Sequence, residues 1–287
     1  QDPYFALFRE KGIFYEQKDG VLTVRGKLTP GIYTLPGNVS SQFITGLLYA
    51  LPLLEGDSQI VLTTDLESRG YVDMTLDALE RFGVKAEYDG KRTFRVPGNQ
   101  YYQHQNLAIE ADWSNAAFWY GAKFLGCPVE IGGLDQASVQ GDRAIAGFYE
   151  QMGGAGRLEL DVSQCPDLVP PLAAMAALRA GETTAIVNAG RLRIKESDRL
   201  ATVTEVLNAL GAQVEEHEDH LVIPGREKLA GGVTVSGHND HRIAMMAAIA
   251  AIRCEKPVTI IGAECVKKSY PKFWEDYEAL GGLVQKT

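Results

Sequence analysis

Residues 191–200, RLRIKESDRL, place six charged side chains in ten positions: Arg191, Arg193, Lys195, Glu196, Asp198 and Arg199. Beyond Ser197, the apolar residues Leu200, Val203, Val206, Leu207 and Leu210 mark one face of a helix that stops at Gly211. Ser197 or Asp198 is a natural cap, because a short side-chain oxygen accepts from free backbone N–H groups. Lys195 then lies just before the helix and Arg199 in its first turn. That is the positive end of the dipole, where a cation typically loses about 0.3–1 kcal/mol. The stretch 237-GHNDHRIAMMAAIAAI repeats the oddity: Asn239 or Asp240 caps an Ala-rich helix, and Arg242 occupies its first turn beside His241. A solvated turn with pairs such as Glu196–Arg199 is the plain reading of one such run. Two runs with the same misplaced cation favour a bound anion, which faces the free N–H groups and the guanidinium together. A charge-assisted hydrogen bond to it gains roughly 1.5–3 kcal/mol, more than the dipole penalty.

A third helix start has no cation. In 36-PGNVSSQFITG, Gly37 and Asn38 make a turn and Ser40, Ser41 and Gln42 open the helix, as a phosphate cradle or as a simple cap. Neither a Walker loop nor a G-x-G-x-x-G after a strand is present. Asp167, in 165-CPDLVPPLAAMAALRAG, stands at the edge of an apolar helix. It either caps that helix or serves as a base with a raised affinity for protons. The His pairs of 217-HEDH and 238-HNDH suggest no third ligand, so no metal site is expected.

The elements that must position these residues recur. An amphipathic helix end, a Gly and a strand-like run appear at 8-FREKGIFYE, 79-LERFGVKAEY, 148-FYEQMGGAG, 206-VLNALGAQVEE and 277-YEALGGLVQK. The glycines Gly12, Gly83, Gly153, Gly211 and Gly281 lie 71, 70, 58 and 70 residues apart. Gly ends helices because it enters the left-handed region without strain. Such spacing argues for a repeated supersecondary unit. Within the first interval, 21-VLTVRG and 59-QIVLTT read as strands, and 40-SSQFITGLLYALPLL and 72-VDMTLDALERF as helices. A repeat that opens on the last helix of a unit suggests a chain cut at its front.

The 287 residues carry a formal net charge of −9 and are 45 % hydrophobic, which predicts two lobes and no affinity for nucleic acid backbone. Any anion must therefore be gripped locally. Cys127, Cys165, Cys254 and Cys265 form no C-x-x-C pair and read as reduced buried thiols. The longest apolar run, Ile243–Ile252, is half a membrane span, so no membrane association and a cytoplasmic location are expected.

Gly37-Asn38-Val39-Ser40-Ser41-Gln42-Phe43, Arg193-Ile194-Lys195-Glu196-Ser197-Asp198-Arg199 and Asn239-Asp240-His241-Arg242-Ile243-Ala244-Met245 together resemble the 5-enolpyruvylshikimate-3-phosphate synthase family. Ser68 to Tyr71, Gln140-Gly141-Asp142, Pro166-Asp167 and Lys268-Ser269-Tyr270-Pro271 extend the resemblance, in family order, over essentially the whole chain. The resemblance implies an α/β fold: a two-lobed inside-out α/β barrel built from repeated βαβαββ units, with a partial N-terminal lobe at 1–111 and a C-terminal lobe at 112–287. It implies transfer of the enolpyruvyl group of phosphoenolpyruvate to the 5-hydroxyl of shikimate 3-phosphate, releasing phosphate, in aromatic amino acid biosynthesis. No metal or organic cofactor is implied, and the full-length form is expected to be a monomer. By resemblance, Ser40, Ser41, Gln42, Ser68, Asp167 and Lys195 bind shikimate 3-phosphate. Arg199 and Arg242 hold the phosphoenolpyruvate carboxylate and Lys268 lies beside its phosphate. Asp167 takes the proton from the 5-hydroxyl and Glu196 protonates the methylene carbon.

The chain departs from the family pattern in places. The first units of the N-terminal lobe are missing, with a Lys, a Gly-rich loop and an Arg that clamps phosphoenolpyruvate; the 287-residue chain alone is accordingly expected to be inactive. Gly70 replaces a common Pro before Tyr71, and Arg191 receives no role. Two rival readings are a UDP-N-acetylglucosamine enolpyruvyl transferase, which relies on a Cys-bearing loop and lacks the Lys-Glu-Ser-Asp-Arg run, and a non-catalytic ligand-binding half.

Overall fold

The computed structural model of the protein describes residues 2–285. Gln1, Lys286 and Thr287, at the outer ends of the two expected lobes and of the 277–286 phrase, lie outside the described residues. The chain divides into two compact units, one reaching Ile109 and including Val139–Gly141, the other formed by Glu110–Ser138 and the chain from Asp142 onward.

In the first unit, helix α1 (Asp2–Glu10) leads through Gly12 into an antiparallel hairpin, β1 (Phe14–Lys18) and β2 (Val21–Arg25). There follow β3 (Gly31–Leu35), α2 (Ser41–Ala50), β4 (Ser58–Leu62), α3 (Arg69–Arg81), β5 (Glu87–Tyr88) and β6 (Thr93–Val96). This is one βαβαββ unit, with sheet order β3-β4-β6-β5. The crossover through α2 makes β3 and β4 parallel, Gly31 opposite Ser58 and Leu35 opposite Leu62, whereas β6 runs antiparallel to both neighbours. Ser58, Ile60 and Leu62 of β4 point inward, the period of two that a half-buried strand requires. They join Ile44, Leu47 and Leu48 of α2 and Val72 and Leu79 of α3 in one core. The helix read from 40 to 54 stops sooner than the sequence suggested: after Ala50 it tightens into a 3-10 turn, Leu51–Leu53, where Pro52 lacks the N–H needed to continue.

The second unit opens with α4 (Trp113–Phe124) and α5 (Ile145–Met152). Then β7 (Leu158–Asp161), α6 (Val169–Ala177), β8 (Thr183–Val187), α7 (Arg199–Leu210), β9 (Glu215–Glu216) and β10 (Leu221–Pro224) repeat the βαβαββ order, with sheet order β7-β8-β10-β9. The chain continues through β11 (Leu229–Gly231), β12 (Thr234–Ser236), α8 (His241–Ala251), β13 (Cys254–Lys256), β14 (Thr259–Ile261) and α9 (Phe273–Ala279). Here β11 pairs with β13 and β12 with β14, both parallel. Helices α6 and α8 are apolar nearly all round and almost wholly buried, so they form the centre, contacted by α4 and α7.

The glycine repeat is real, with one exception. Gly12, Gly83, Gly211 and Gly281 adopt φ of 66°, 75°, 105° and 97° just past helix ends. Gly153 instead keeps a right-handed φ of −72°, and the interval that follows it is the short one. Helices α1, α3 and α7 each lead into an antiparallel strand pair, but α5 leads straight to β7. Segments 104–112 and 127–132 flank α4 where the repeat would set its parallel strands, yet they join no ladder among the described residues. Side chains secure the shortened connection. The buried Arg179 donates to the carbonyls of Met152 at 3.0 Å and Gly154 at 2.6 Å, and Gly156 N–H donates to Glu182 Oε2 at 2.7 Å.

Candidate active site

Every residue that the resemblance gives a substrate or catalytic role lies beyond the C-terminal end of a parallel strand. Asp167 follows β7, the 195–199 run follows β8, Arg242 follows β12 and Lys268 follows β14; in the other unit Ser40–Gln42 follow β3 and Ser68 follows β4. In parallel α/β sheets that end of the strands is where helix N-termini gather and ligands bind.

In the second unit the charged residues converge on one carboxylate. Asp167 lies in a 3-10 turn, Pro166–Leu168, between β7 and α6. Its Oδ1 accepts from Arg199 Nη1 at 2.7 Å and lies 3.5 Å from Lys195 Nζ; its Oδ2 accepts from Arg242 Nη2 at 3.1 Å. Arg199, wholly buried, also donates from Nη2 to Glu196 Oε2 at 2.6 Å and from Nε to Asp240 Oδ2 at 2.8 Å. Asp240, 0 % exposed, accepts the Ser197 hydroxyl at 2.9 Å and caps α8 by accepting Arg242 N–H at 3.0 Å. Arg242 Nη1 donates to Ser114 Oγ at 2.6 Å, while its buried Nε has no partner. Lys268 donates to the Asn239 carbonyl, beside the start of α8.

Burial alone would raise the Asp167 pKa, but Arg242, Lys195 and Arg199 outweigh it and hold the carboxyl well below the usual carboxylate range. Asp240 is held low in the same way, its burial outweighed by bonds from Arg199. Burial first, then Arg242, push the pKa of His241 down, so its imidazole stays neutral at pH 7.

These observations correct the reading of single residues. Asp167 neither caps the helix nor carries the raised proton affinity that its position in the sequence suggested. No side chain caps α6, which starts after Leu168, and the affinity of Asp167 for protons is lowered rather than raised. The anions that reconcile Arg199 and Arg242 with helix N-termini are the protein's own Asp167, Glu196 and Asp240, so the Glu196–Arg199 pair of the plain reading exists within a larger cluster. Asp198 and Asp240, rather than Ser197 and Asn239, are the caps. Arg193 serves structure: it bonds Asp198 at 3.0 Å, Glu216 at 2.8 Å and the carbonyls of His217 and Glu218, tying the start of α7 to the β9–β10 turn.

In the first unit Ser40 caps α2, its Oγ accepting Gln42 N–H at 3.3 Å, and Ser41 is buried. Thr64 Oγ1 accepts Gly37 N–H at 2.9 Å and donates to Asn38 Oδ1 at 3.0 Å, and Glu67 N–H donates to the Gly37 carbonyl, so the loops after β3 and β4 lie together. A Cβ at Gly37 would sit 2.8 Å from the Asp65 carbonyl oxygen, which leaves glycine as the residue that fits. Ser68 opens α3 from a left-handed backbone (φ 50°) and makes no side-chain cap bond.

Sequence reasoning missed Ser114 and gave Ser197 and Asp240 no part beyond capping. Asp240 was visible as a cap candidate; nothing in 112-DWSN distinguishes Ser114 from a residue in an ordinary first turn. Among the described residues no group of three or more His, Cys, Asp or Glu side chains is placed to hold a metal ion.

A family model described as EPSP synthase (3-phosphoshikimate 1-carboxyvinyltransferase) matches residues 10–159 and 155–277. The two matches meet at the shortened α5–β7 connection. The 3-phosphoshikimate 1-carboxyvinyltransferase of Clostridium acetobutylicum is 50 % identical over 301 residues, covering 99 % of this chain and 70 % of that protein. The Clostridium kluyveri protein of the same name is 48 % identical, with the same coverage. Among solved structures, an EPSP synthase from Acinetobacter baumannii matches 98 % of this chain and 70 % of its own with a TM-score of 0.78 at 24 % identity. The enolpyruvyl transferase NikO from Streptomyces tendae shares the fold, with a TM-score of 0.70 at 16 % identity, over 99 % of this chain and 72 % of that one. With half its residues shared with one such transferase and both units matched by the family model, this chain belongs to the EPSP synthase family.

Proposed function

We propose that the protein transfers the enolpyruvyl group of phosphoenolpyruvate to the 5-hydroxyl of shikimate 3-phosphate, with the Asp167 cluster as its reaction centre. The observation that carries this reading is the convergence of Lys195, Arg199 and Arg242 on one carboxylate at the C-terminal ends of parallel strands. Two substrates bearing phosphates and a carboxylate need such a concentration of cations, and an acidic chain has to build it locally. In the addition step the 5-hydroxyl oxygen bonds to C2 of phosphoenolpyruvate, its proton passes to Asp167, and Glu196 delivers a proton to C3. In the elimination step C3 returns a proton to Glu196, the bond from C2 to the phosphate oxygen breaks, and phosphate leaves with the proton that Asp167 had taken. Arg199 and Arg242 hold the phosphoenolpyruvate carboxylate and Lys268 its phosphate. Lys195, Ser40, Ser41, Gln42 and Ser68 bind shikimate 3-phosphate, the serines at helix starts where free N–H groups favour a phosphate. The lobes of the enzyme divide between 111 and 112, and it acts as a cytoplasmic monomer.

Calorimetric titration tests the substrate class. Shikimate 3-phosphate should bind and UDP-N-acetylglucosamine should not; the opposite preference would transfer the reading to the UDP-sugar enzyme.

A further inference from the structure

Lys195, Arg199 and Arg242 are matched by Asp167, Glu196 and Asp240, so the cluster is already neutral. A guest carboxylate entering a neutral, largely buried cluster repels the resident carboxylates unless one of them yields. The three are not equivalent. Asp240 is 0 % exposed and takes Arg199 Nε and Nη2, the Ser197 hydroxyl and the α8 N-terminal N–H on its two oxygens. Removing it would break a cap and leave the buried Nε of Arg199 without its acceptor. Glu196 holds Arg199 through one oxygen and its side chain is 44 % exposed. Asp167, with a side chain 18 % exposed, bridges the two arginines, Oδ1 to Arg199 and Oδ2 to Arg242, as a bound carboxylate would. The buried Nε of Arg242 meanwhile has no acceptor.

We propose that Asp167 occupies the carboxylate subsite in the absence of ligand, and that the carboxylate of phosphoenolpyruvate enters by displacing it from Arg199 and Arg242 while Asp240 holds Arg199 in place. This rests on the reading of the two arginines as the phosphoenolpyruvate carboxylate site. Displacement has a chemical consequence. Asp167 loses two of the cations that suppress its basicity and gains an anionic neighbour, so it becomes able to take the 5-hydroxyl proton only once the second substrate is bound. Glu196, sharing Arg199, is loosened by the same exchange.

The test is titration of phosphoenolpyruvate into the protein with shikimate 3-phosphate present. Asp167→Asn and Asp167→Ser remove the internal competitor's charge, so both should bind phosphoenolpyruvate more tightly than wild type, by at least about 5-fold, the lower end of ordinary site–site coupling. Wild type titrated near pH 5 in buffers of different ionisation heat should take up protons on binding, which keeps the proposal testable if the variants fail to fold. Unchanged or weaker binding by folded variants, or no proton uptake by wild type, overturns the displacement. Arg242→Gln tests the underlying reading separately. If it leaves phosphoenolpyruvate affinity intact, the site assignment falls; if it weakens affinity while the Asp167 variants bind no tighter, only the displacement falls.

Discussion

Asp167 and Glu196 show how one cationic cluster gives two carboxylates different surroundings. Asp167, beside three cations, is held ionised, whereas Glu196 reaches solvent and pairs with Arg199. General acid–base groups contribute typically about 10²–10⁴-fold to rate. Asp167→Ala and Glu196→Ala should each lower phosphate release by about that factor while shikimate 3-phosphate binding, read by calorimetry, persists. Loss of binding instead would make both residues structural. The cluster also predicts a pH dependence of stability. Folding lowers the pKa of Asp167, as it does that of Asp240, so each contributes stability above its unfolded pKa, near 4, that is lost as pH falls toward the folded value. Melting temperature should drop through that acid window in wild type and drop less steeply in Asp167→Asn. At this scale the sequence exposed the chemistry through misplaced charge: a cation at a helix N-terminus is visible without coordinates. Which anion answers it is not, since Asp167 lies 32 residues from Arg199 in the chain.

At the scale of elements, parallel strands position the candidate residues within each unit. Each crossover returns the chain so that β7 and β8, β12 and β14, or β3 and β4 end at the same edge of their sheet, and the loops beyond carry the functional side chains. The caps after those loops differ in what they hold. Asp198 caps α7 at a partly exposed position, so Asp198→Ala should cost about 1 kcal/mol. Asp240→Ala also removes one of the three carboxylates on buried Arg199 and leaves its Nε without an acceptor, and truncating one partner of a buried ion pair costs about 3–5 kcal/mol. Denaturant titration of the two variants should separate those magnitudes; equal losses would mean Asp240 is only a cap. The apolar face from Leu200 to Leu210, the stop at Gly211 and the Ala-rich α8 were legible because periodicity and capping are local. The choice between adjacent cap candidates was not, because it depends on which side chain also meets a distant guanidinium.

At the scale of the molecule, the recurring glycines correspond to complete βαβαββ units at β3–β6 and β7–β10, and the one irregular interval corresponds to an irregular unit. With no strand pair after α5, residues 104–112 and 127–132 form no ladder. Backbone amides in 104–110, in exposed residues that join no ladder among the described residues, should exchange hydrogen far faster than those of β4 or β8. Slow exchange there would show that this segment is paired in solution. The amino-acid sequence by itself determined the repeat, the helix faces, the net negative charge, and the candidate residue types, since all of these depend on composition or short-range spacing. Only the tertiary structure decided that Arg199 and Arg242 share one carboxylate, that Arg193 belongs to the framework, and that the proton affinity of Asp167 is suppressed. Those outcomes follow from charges brought within hydrogen-bonding distance by strands and helices far apart along the chain, where burial strengthens every pairing.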